Sequence, residues 1–266
     1  MGIVLYHSVE STCAQKVKLV LAEKGLEWEE NRLNLRRGDQ FSTEYLALNP
    51  KGVVPTLIHD DSVFRESTVI NEYLDDAFPE PELRPSTPAA TAKMRLWVKT
   101  FDDDVHPVVG VITYATVLRH QMAEMKSEAE LKDHFAKIPD LARRMRQISV
   151  HDAGIDAEPA AVALRQLDGV LERLDQQLEG SAWIVGDAFS LADCAAAPYI
   201  LRLDMLQFSG LWVGRRRNLE DWFQRVSNRP NFKSVVTSQI PKSLTDLFKQ
   251  FGNQAWPKVE AIVFGA

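Results

Sequence analysis

A serine, a threonine and a cysteine stand together at Ser11, Thr12 and Cys13, between an apolar run at residues 3–6 and a helical pattern that follows. The start of a helix carries unsatisfied N–H groups and partial positive charge. A hydroxyl placed there can donate a hydrogen bond to an anion such as a thiolate, which favours the ionised form. One pKa unit of such stabilisation is worth about 1.4 kcal/mol. The same serine can equally serve as a plain helix cap. Cys13 offers a second chemistry, because a helix N-terminus can lower a thiol pKa below about 8.5 and make it a nucleophile. It has no Cys-x-x-Cys partner, since Glu10 and Lys16 occupy those positions, and a small buried thiol is the alternative. Cys194, in an alanine run, reads as packing.

Two further places could hold a ligand. Val54-Pro55 puts a proline inside a strand-like run, where proline is uncommon away from edges and turns. A cis bond there would turn the Val54 backbone outward to pair with an extended ligand; an edge-strand proline is the other reading. Glu66-Ser67 opens a helical pattern. The Ser67 hydroxyl and neighbouring N–H groups suit a carboxylate, and Glu66 suits an ammonium. Together they suit the end of an α-amino acid, or else a cap with a first-turn acid.

The elements that must position these residues follow from periodicity. A strand is expected at 3–6, a helix carrying Val17, Val20 and Leu21 up to Gly25, and a second strand over 27–33. A short helix at 42–48, a strand starting at 53, a return strand at 62–64 and a helix over 66–77 complete a βαβαββα unit with a mixed sheet. Prolines 79, 81, 85 and 88 mark a boundary. The expected division is residues 1–80, a linker at 81–92, and an all-helical remainder over 93–266. Helical patterns run over 93–121, 157–178, 191–206, 219–226 and 244–251. Leu164, Leu167, Leu171, Leu174 and Leu178 form one stripe. Residues 123–156 suggest an extra helix with a loop.

Composition narrows the classes. With 266 residues, 45% apolar and 26% charged, the chain is globular and long enough for two domains. Two cysteines make no disulfide framework. No apolar run reaches the roughly 18 residues of a membrane span, and no leader pattern is seen, so a cytoplasmic protein without membrane association is expected. A net charge of −6 argues against nucleic acid as the main partner.

Taken together these features resemble the cytosolic glutathione S-transferase superfamily over residues 3–251. The resemblance rests on the segment from Asn49 to Leu57, the run Glu66-Ser67-Thr68-Val69-Ile70, and the run from Gly186 to Asp193. In the last, Ser190 and Asp193 are placed as a capping box. Ser11-Thr12-Cys13 is similar to the Ser-Ser-Cys motif of zeta-class enzymes. Trp97 and His106 resemble a beta-class spacing, in which Cys13 matches a cysteine used by that class. Residues 66–97 look closest to the bacterial glutathione-dependent β-etherases, which differ at residues 11–14. Val53 stands where many relatives carry Gln, and no tyrosine occupies the Ser11 position.

The resemblance implies a thioredoxin-like domain followed by an all-helical one, and reduced glutathione as cosubstrate with no metal. It implies that Glu66 and Ser67 hold the γ-glutamyl end, that Val54, next to Pro55, pairs with the cysteinyl residue, and that Gln40 and Lys51 meet the glycyl end. Ser11 would stabilise the thiolate for attack on a small hydrophobic, aromatic electrophile, by aryl-ether cleavage or a related displacement. His106 would assist near the sulfur or line the pocket, and Asp103 would reach the neighbour's glutathione in a homodimer. Val109, Ile112 and Tyr114 would line the electrophile pocket, which residues 123–156 and the tail after Ile240 would cover or reshape. Other readings are a Cys13 thiol-transferase or dehalogenase, a glutathione-dependent isomerase, and a non-catalytic interaction module of the same fold.

Overall fold

The computed structural model describes residues 2–136, 138 and 140–265, the Arg143 side chain aside. The chain forms two compact units: Met1–Lys99 with Gln177–Ile200 and Asp221–Pro241, and Thr100–Gln176 with Leu201–Glu220 and Lys242–Ala266.

In the first unit the expected βαβαββα order appears as β1 (Ile3–His7), α1 (Thr12–Glu23), β2 (Glu29–Arg32), α2 (Thr43–Leu48), β3 (Thr56–His59), β4 (Ser62–Arg65) and α3 (Ser67–Ala77). The strands lie in the order β2-β1-β3-β4. β1 runs parallel to β2 and antiparallel to β3, and β3 runs antiparallel to β4. β3 begins three residues later than expected, because Pro55 has no N–H to enter the ladder. Ile3 and Leu5 alternate inward from β1, against Val17, Val20 and Leu21 of α1 and Ile70 and Leu74 of α3, all buried. α1 is buried around nearly its whole circumference, so its lysines enter the interior. Lys18 answers this with Glu30 at 2.6 Å, and Lys24 with Asp75 and the Pro81 carbonyl. Buried ammonium groups are tolerated only with such partners.

The expected linker is irregular only up to residue 87. Helix α4 (Pro88–Thr100) starts inside it. The Thr87 hydroxyl accepts from the Ala90 N–H at 3.2 Å, and Pro88 takes the first helical position, where its missing N–H is harmless. The irregular part is tied down: Asp75 accepts from the Leu83 N–H at 3.0 Å and from Arg84 at 2.6 Å.

In the second unit the expected 93–121 helix continues as a wide π-helical turn (Phe101–Val105), α5 (His106–Thr113), a second π-helical turn (Tyr114–Leu118) and α6 (Arg119–Met125). Pro107 lacks an N–H and would crowd the carbonyl four residues back; the first wide turn lies immediately before it. The single extra helix expected in 123–156 is two, α7 (Glu128–Ala136) and α8 (Leu141–Ala153). Residues 137 and 139 of that span lie outside the described residues. Ser127 and Glu130 restart the chain as a capping box, with the Ser127 N–H donating to Glu130 at 2.8 Å. α9 (Glu158–Gln177) buries Leu164, Leu167, Leu171 and Leu174 as the stripe predicts.

Helix α10 (Leu191–Met205) and α11 (Arg217–Asn228) each pass from one unit to the other, and α12 (Pro230–Val235) packs on α1. Asp193, fully buried in α10, accepts from the N–H groups of Ile184 and Ser190 and from the Trp222 indole at 2.8–3.0 Å, which is the expected capping box with an added anchor.

The last helix, α13 (Lys242–Phe264), is far longer than the expected 244–251. It runs on through Gly252, which marks a close approach: a Cβ there would lie 1.9 Å from the Leu206 carbonyl oxygen.

Candidate active site

Strand register gathers the candidate residues of the first unit. Tyr6 of β1 and Arg65 of β4 both pair with Thr56, the first residue of β3. The C-terminal ends of β1 and β4 therefore share one edge with the N-terminal end of β3. Ser11 follows β1, Val54 precedes β3, and Glu66-Ser67 follows β4, so all three segments emerge at one end of the sheet. The C-terminal end of β2, which leads toward Gln40, lies there too, since His7 pairs with Arg32.

Ser11 is the N-cap of α1, and its Oγ accepts from the Ala14 N–H at 3.2 Å. A hydroxyl that accepts still has its own hydrogen to donate, so capping and anion stabilisation are compatible in one residue. The approach to Ser11 is held by its own N–H donating to the Ser8 carbonyl at 3.1 Å, and by the Gln15 amide donating to Val9 at 2.9 Å. Cys13, half-buried in the first turn, has its Sγ 3.7 Å from the hydroxyl of Tyr199, a fully buried residue of α10. The Lys16 ammonium lies 4.9 Å from the centre of the same phenol ring. Burial raises the Cys194 thiol pKa well above its usual value, consistent with a packing role.

The Val54-Pro55 peptide bond is cis. Among the described residues neither the N–H nor the carbonyl of Val54 has a hydrogen-bond partner. Its neighbours are held firmly. The Val53 carbonyl accepts from the Tyr45 hydroxyl at 2.7 Å and from the Asn49 amide at 2.8 Å. The same two side chains meet the buried Thr56 hydroxyl at 2.9 and 3.1 Å. Burial raises the Tyr45 pKa, keeping the phenol neutral and able to donate. The sequence shows only half of this brace: Asn49 belongs to a recognisable motif, whereas Tyr45 sits on a six-residue helix with no signal of its own.

Glu66 has φ 65° and ψ 113°, a backbone region that non-glycine residues rarely enter and that is held in place by surrounding structure. It precedes Ser67, a buried residue whose hydroxyl has no partner among the described residues. The exposed Glu66 carboxylate is paired with Lys51 at 2.7 Å, so two groups expected to meet opposite ends of a ligand meet each other. Gln40 turns into its own loop: its amide donates to the Leu35 carbonyl at 3.2 Å, while its side-chain oxygen is buried without a partner.

The remaining candidates lie in the second unit. Asp103 is exposed on the first π-helical turn and His106 is exposed at the start of α5. Val109 and Ile112 are buried. The open side of α5 is the opposite one. There Pro107, Gly110, Val111 and Tyr114 line a cavity of about 280 Å³ with Arg146 and Val150. The Tyr114 hydroxyl lies 3.1 Å from His151 Nδ1, and burial with the Asp152 charge pushes its pKa up to about 12. Among the described residues no helix is long and apolar enough to cross a membrane, and no cluster of three or more His, Cys, Asp or Glu side chains could hold a metal ion.

The chain is similar to known proteins. Residues 10–77 match the model of the glutathione S-transferase N-terminal domain, and residues 116–230 match that of its C-terminal domain. Protein LigF of Sphingobium sp. is 31% identical over 246 residues, covering 88% of this chain and 93% of its own. The crystal structure of LigF, described as a beta-etherase, superposes with a TM-score of 0.78 over 90% of this chain and 100% of its own. A stringent starvation protein A homolog of Histophilus somni is 28% identical, covering 90% of this chain and 91% of its own. A tetrachloro-p-hydroquinone reductive dehalogenase of Sphingobium chlorophenolicum is 27% identical, covering 87% and 94%. The chain belongs to the glutathione S-transferase family.

Proposed function

We propose that this enzyme of the glutathione S-transferase family binds reduced glutathione at the sheet end formed by Ser11, Val54 and Ser67, and that Ser11 stabilises the thiolate for attack on a hydrophobic aromatic electrophile. One observation carries the reading. Three segments converge on that end with polar capacity left over: a hydroxyl hydrogen at Ser11, both backbone groups at Val54, and the hydroxyl of buried Ser67. Buried or constrained polar groups are ordinarily paired; an extended peptide with a carboxylate at one end supplies what each lacks.

Bound glutathione supplies the nucleophilic sulfur. Ser67 and the first N–H groups of α3 hold the γ-glutamyl carboxylate, and Glu66 its ammonium. Val54 pairs with the cysteinyl backbone. Lys51 exchanges Glu66 for the glycyl carboxylate, with Gln40 beside it. Ser11 donates to the sulfur and lowers its pKa. In the aryl-ether form of the reaction, an S–C bond forms at the carbon bearing the ether oxygen, the C–O bond breaks, and phenoxide leaves with the electron pair. Tyr114 and its neighbours on α5, with His106, contribute to the electrophile pocket. Residues 1–80 carry the glutathione end and residues 93–266 the electrophile end. A cytoplasmic homodimer, with Asp103 at the neighbour's site, completes the reading, and light scattering tests the dimer.

The aryl-ether substrate class is supported by the likeness to LigF. A second reading is favoured by Cys13 and Tyr199: the phenol donates to a Cys13 thiolate, which acts as nucleophile in thiol exchange or dehalogenation, as the name of the Sphingobium chlorophenolicum relative suggests. Turnover of an aryl ether with glutathione separates the two. Ser11→Ala is expected to lower kcat by at least tenfold with little change in KM, while Cys13→Ser retains most activity. The reverse pattern would replace the first reading with the second.

A further inference from the structure

The second unit holds another cavity, of about 220 Å³, which none of Asp103, His106, Val109, Ile112 or Tyr114 lines. It lies among the second π-helical turn, the start of α6, the turn at residues 153–156 and the middle of α13. Among the described residues, Arg119 is its one cation without an acidic partner. The Arg119 Nη1 donates to the backbone carbonyls of His151 and Asp152 at 2.9 and 3.2 Å. Its Nε is buried with no acceptor. The carboxylate that lines the cavity, Asp156, is engaged by Lys258.

The backbone makes room for this guanidinium. Gly154 has φ +59°, and a Cβ there would come within 2.8 Å of Arg119 Cζ and Nε. Two of its lining rings are fixed against each other: the His120 ring stacks on Phe251 with centroids 4.0 Å apart and planes 3° from parallel. Burial, reinforced by the Arg119 charge, lowers the His120 pKa, so the ring is neutral and presents an aromatic face. Ala115, Ala153 and Ala255 leave the remaining space open. The volume is several times the roughly 30 Å³ share of one water.

We infer that this cavity is a binding site for a single-ring aromatic carboxylate, whose carboxylate accepts from Arg119 at Nη2, the guanidinium nitrogen that no described residue engages and that is not buried away as Nε is, and whose ring packs against the His120 and Phe251 side chains. The site is separate from the proposed glutathione end and does not depend on that reading. A guanidinium N–H donates strongly to a carboxylate, and aromatic side chains beside a fixed polar anchor are the usual make-up of a small-molecule site.

Calorimetric titration of the full-length protein with benzoate, glutathione saturating, tests this. Binding at one site is expected in the wild type and in Ser11→Ala. It should weaken at least tenfold in Arg119→Gln, which removes the cation, and in Ala255→Phe, which fills the space but keeps the arginine. Benzyl alcohol, with the ring but no charge, should bind at least tenfold more weakly than benzoate. Crystals with 4-bromobenzoate should show bromine density inside the cavity. Wild type that does not bind benzoate, affinity equal in wild type and the space-filling variant, or bromine only elsewhere would overturn the inference.

Discussion

Removing Tyr45 and Asn49 in turn tests how the ligand-facing backbone is held. Both side chains serve the same two groups at 2.7–3.1 Å: the Val53 carbonyl accepts from each, while the buried Thr56 hydroxyl accepts from Asn49 and donates to Tyr45. Tyr45→Phe removes a donor from the Val53 carbonyl and an acceptor from the Thr56 hydroxyl and leaves Asn49 with both, so it should destabilise by about 1 kcal/mol. Asn49→Ala removes a donor from each and also frees the Lys51 N–H from Asn49 Oδ1 at 3.2 Å, for about 1–2 kcal/mol. The double variant strands the Thr56 hydroxyl in the interior, where it is fully buried. A buried group with no partner costs its full desolvation, roughly 1–3 kcal/mol. The double variant should therefore lose at least about 1 kcal/mol more than the sum of the singles. Urea unfolding with constant slope measures the stability, and the KM for glutathione reports the Val54 segment, which should weaken in the same order. Additivity within about 0.3 kcal/mol, or an unchanged KM in the double variant, would refute the brace.

Three other outcomes follow from the same geometry. Gly252→Ala places a Cβ 1.9 Å from the Leu206 carbonyl oxygen; the helix must move, and a loss of about 3 kcal/mol, read as a lowered thermal midpoint, is expected. Asp193→Ala strips four donors of a fully buried acceptor and should destabilise by about 3–5 kcal/mol in urea unfolding. His7 is fully buried, and burial together with the Lys18 charge lowers its pKa from 6.5 to about 4. The unfolded chain then takes up the proton first as pH falls, so stability declines from pH 6.5 to 4, by about 3 kcal/mol in all. His7→Gln should flatten urea unfolding across that window. Glu30 should still titrate below it: burial alone would raise its pKa, but hydrogen bonds from Lys18 and Arg32 hold it at about 2. A decline of equal size in the His7 variant would exclude His7 as the source.

What the sequence makes legible is local. Ser11 before a helical run, Ser67 after a short strand, and the leucines of α9 at steps of three and four are signals carried by neighbouring residues. They locate the candidate segments and the buried face of the long helix. Groups that depend on distant partners are not legible. Tyr199 meets Cys13 across 186 residues, and Arg119 meets the last turn of α8. The reason for Gly252, the Leu206 carbonyl just past the end of α10, is likewise distant in sequence. Pro88 and Pro107 read as boundary and helix residues without the cap and wide turn that accommodate them. Val109 and Ile112 mark the buried side of α5, whereas the cavity at Pro107, Gly110 and Val111 depends on Arg146 and Val150 of a distant helix and has no local signal.

An ultraviolet difference titration of bound glutathione reads the ionisation of its thiol directly. A cysteine thiol ordinarily titrates near 8.5. In the wild type the thiolate absorbance should appear at least one pH unit (about 1.4 kcal/mol) lower, and in Ser11→Ala the midpoint should return toward the unbound value while glutathione still binds. Identical midpoints in the two proteins would contradict the role given to Ser11.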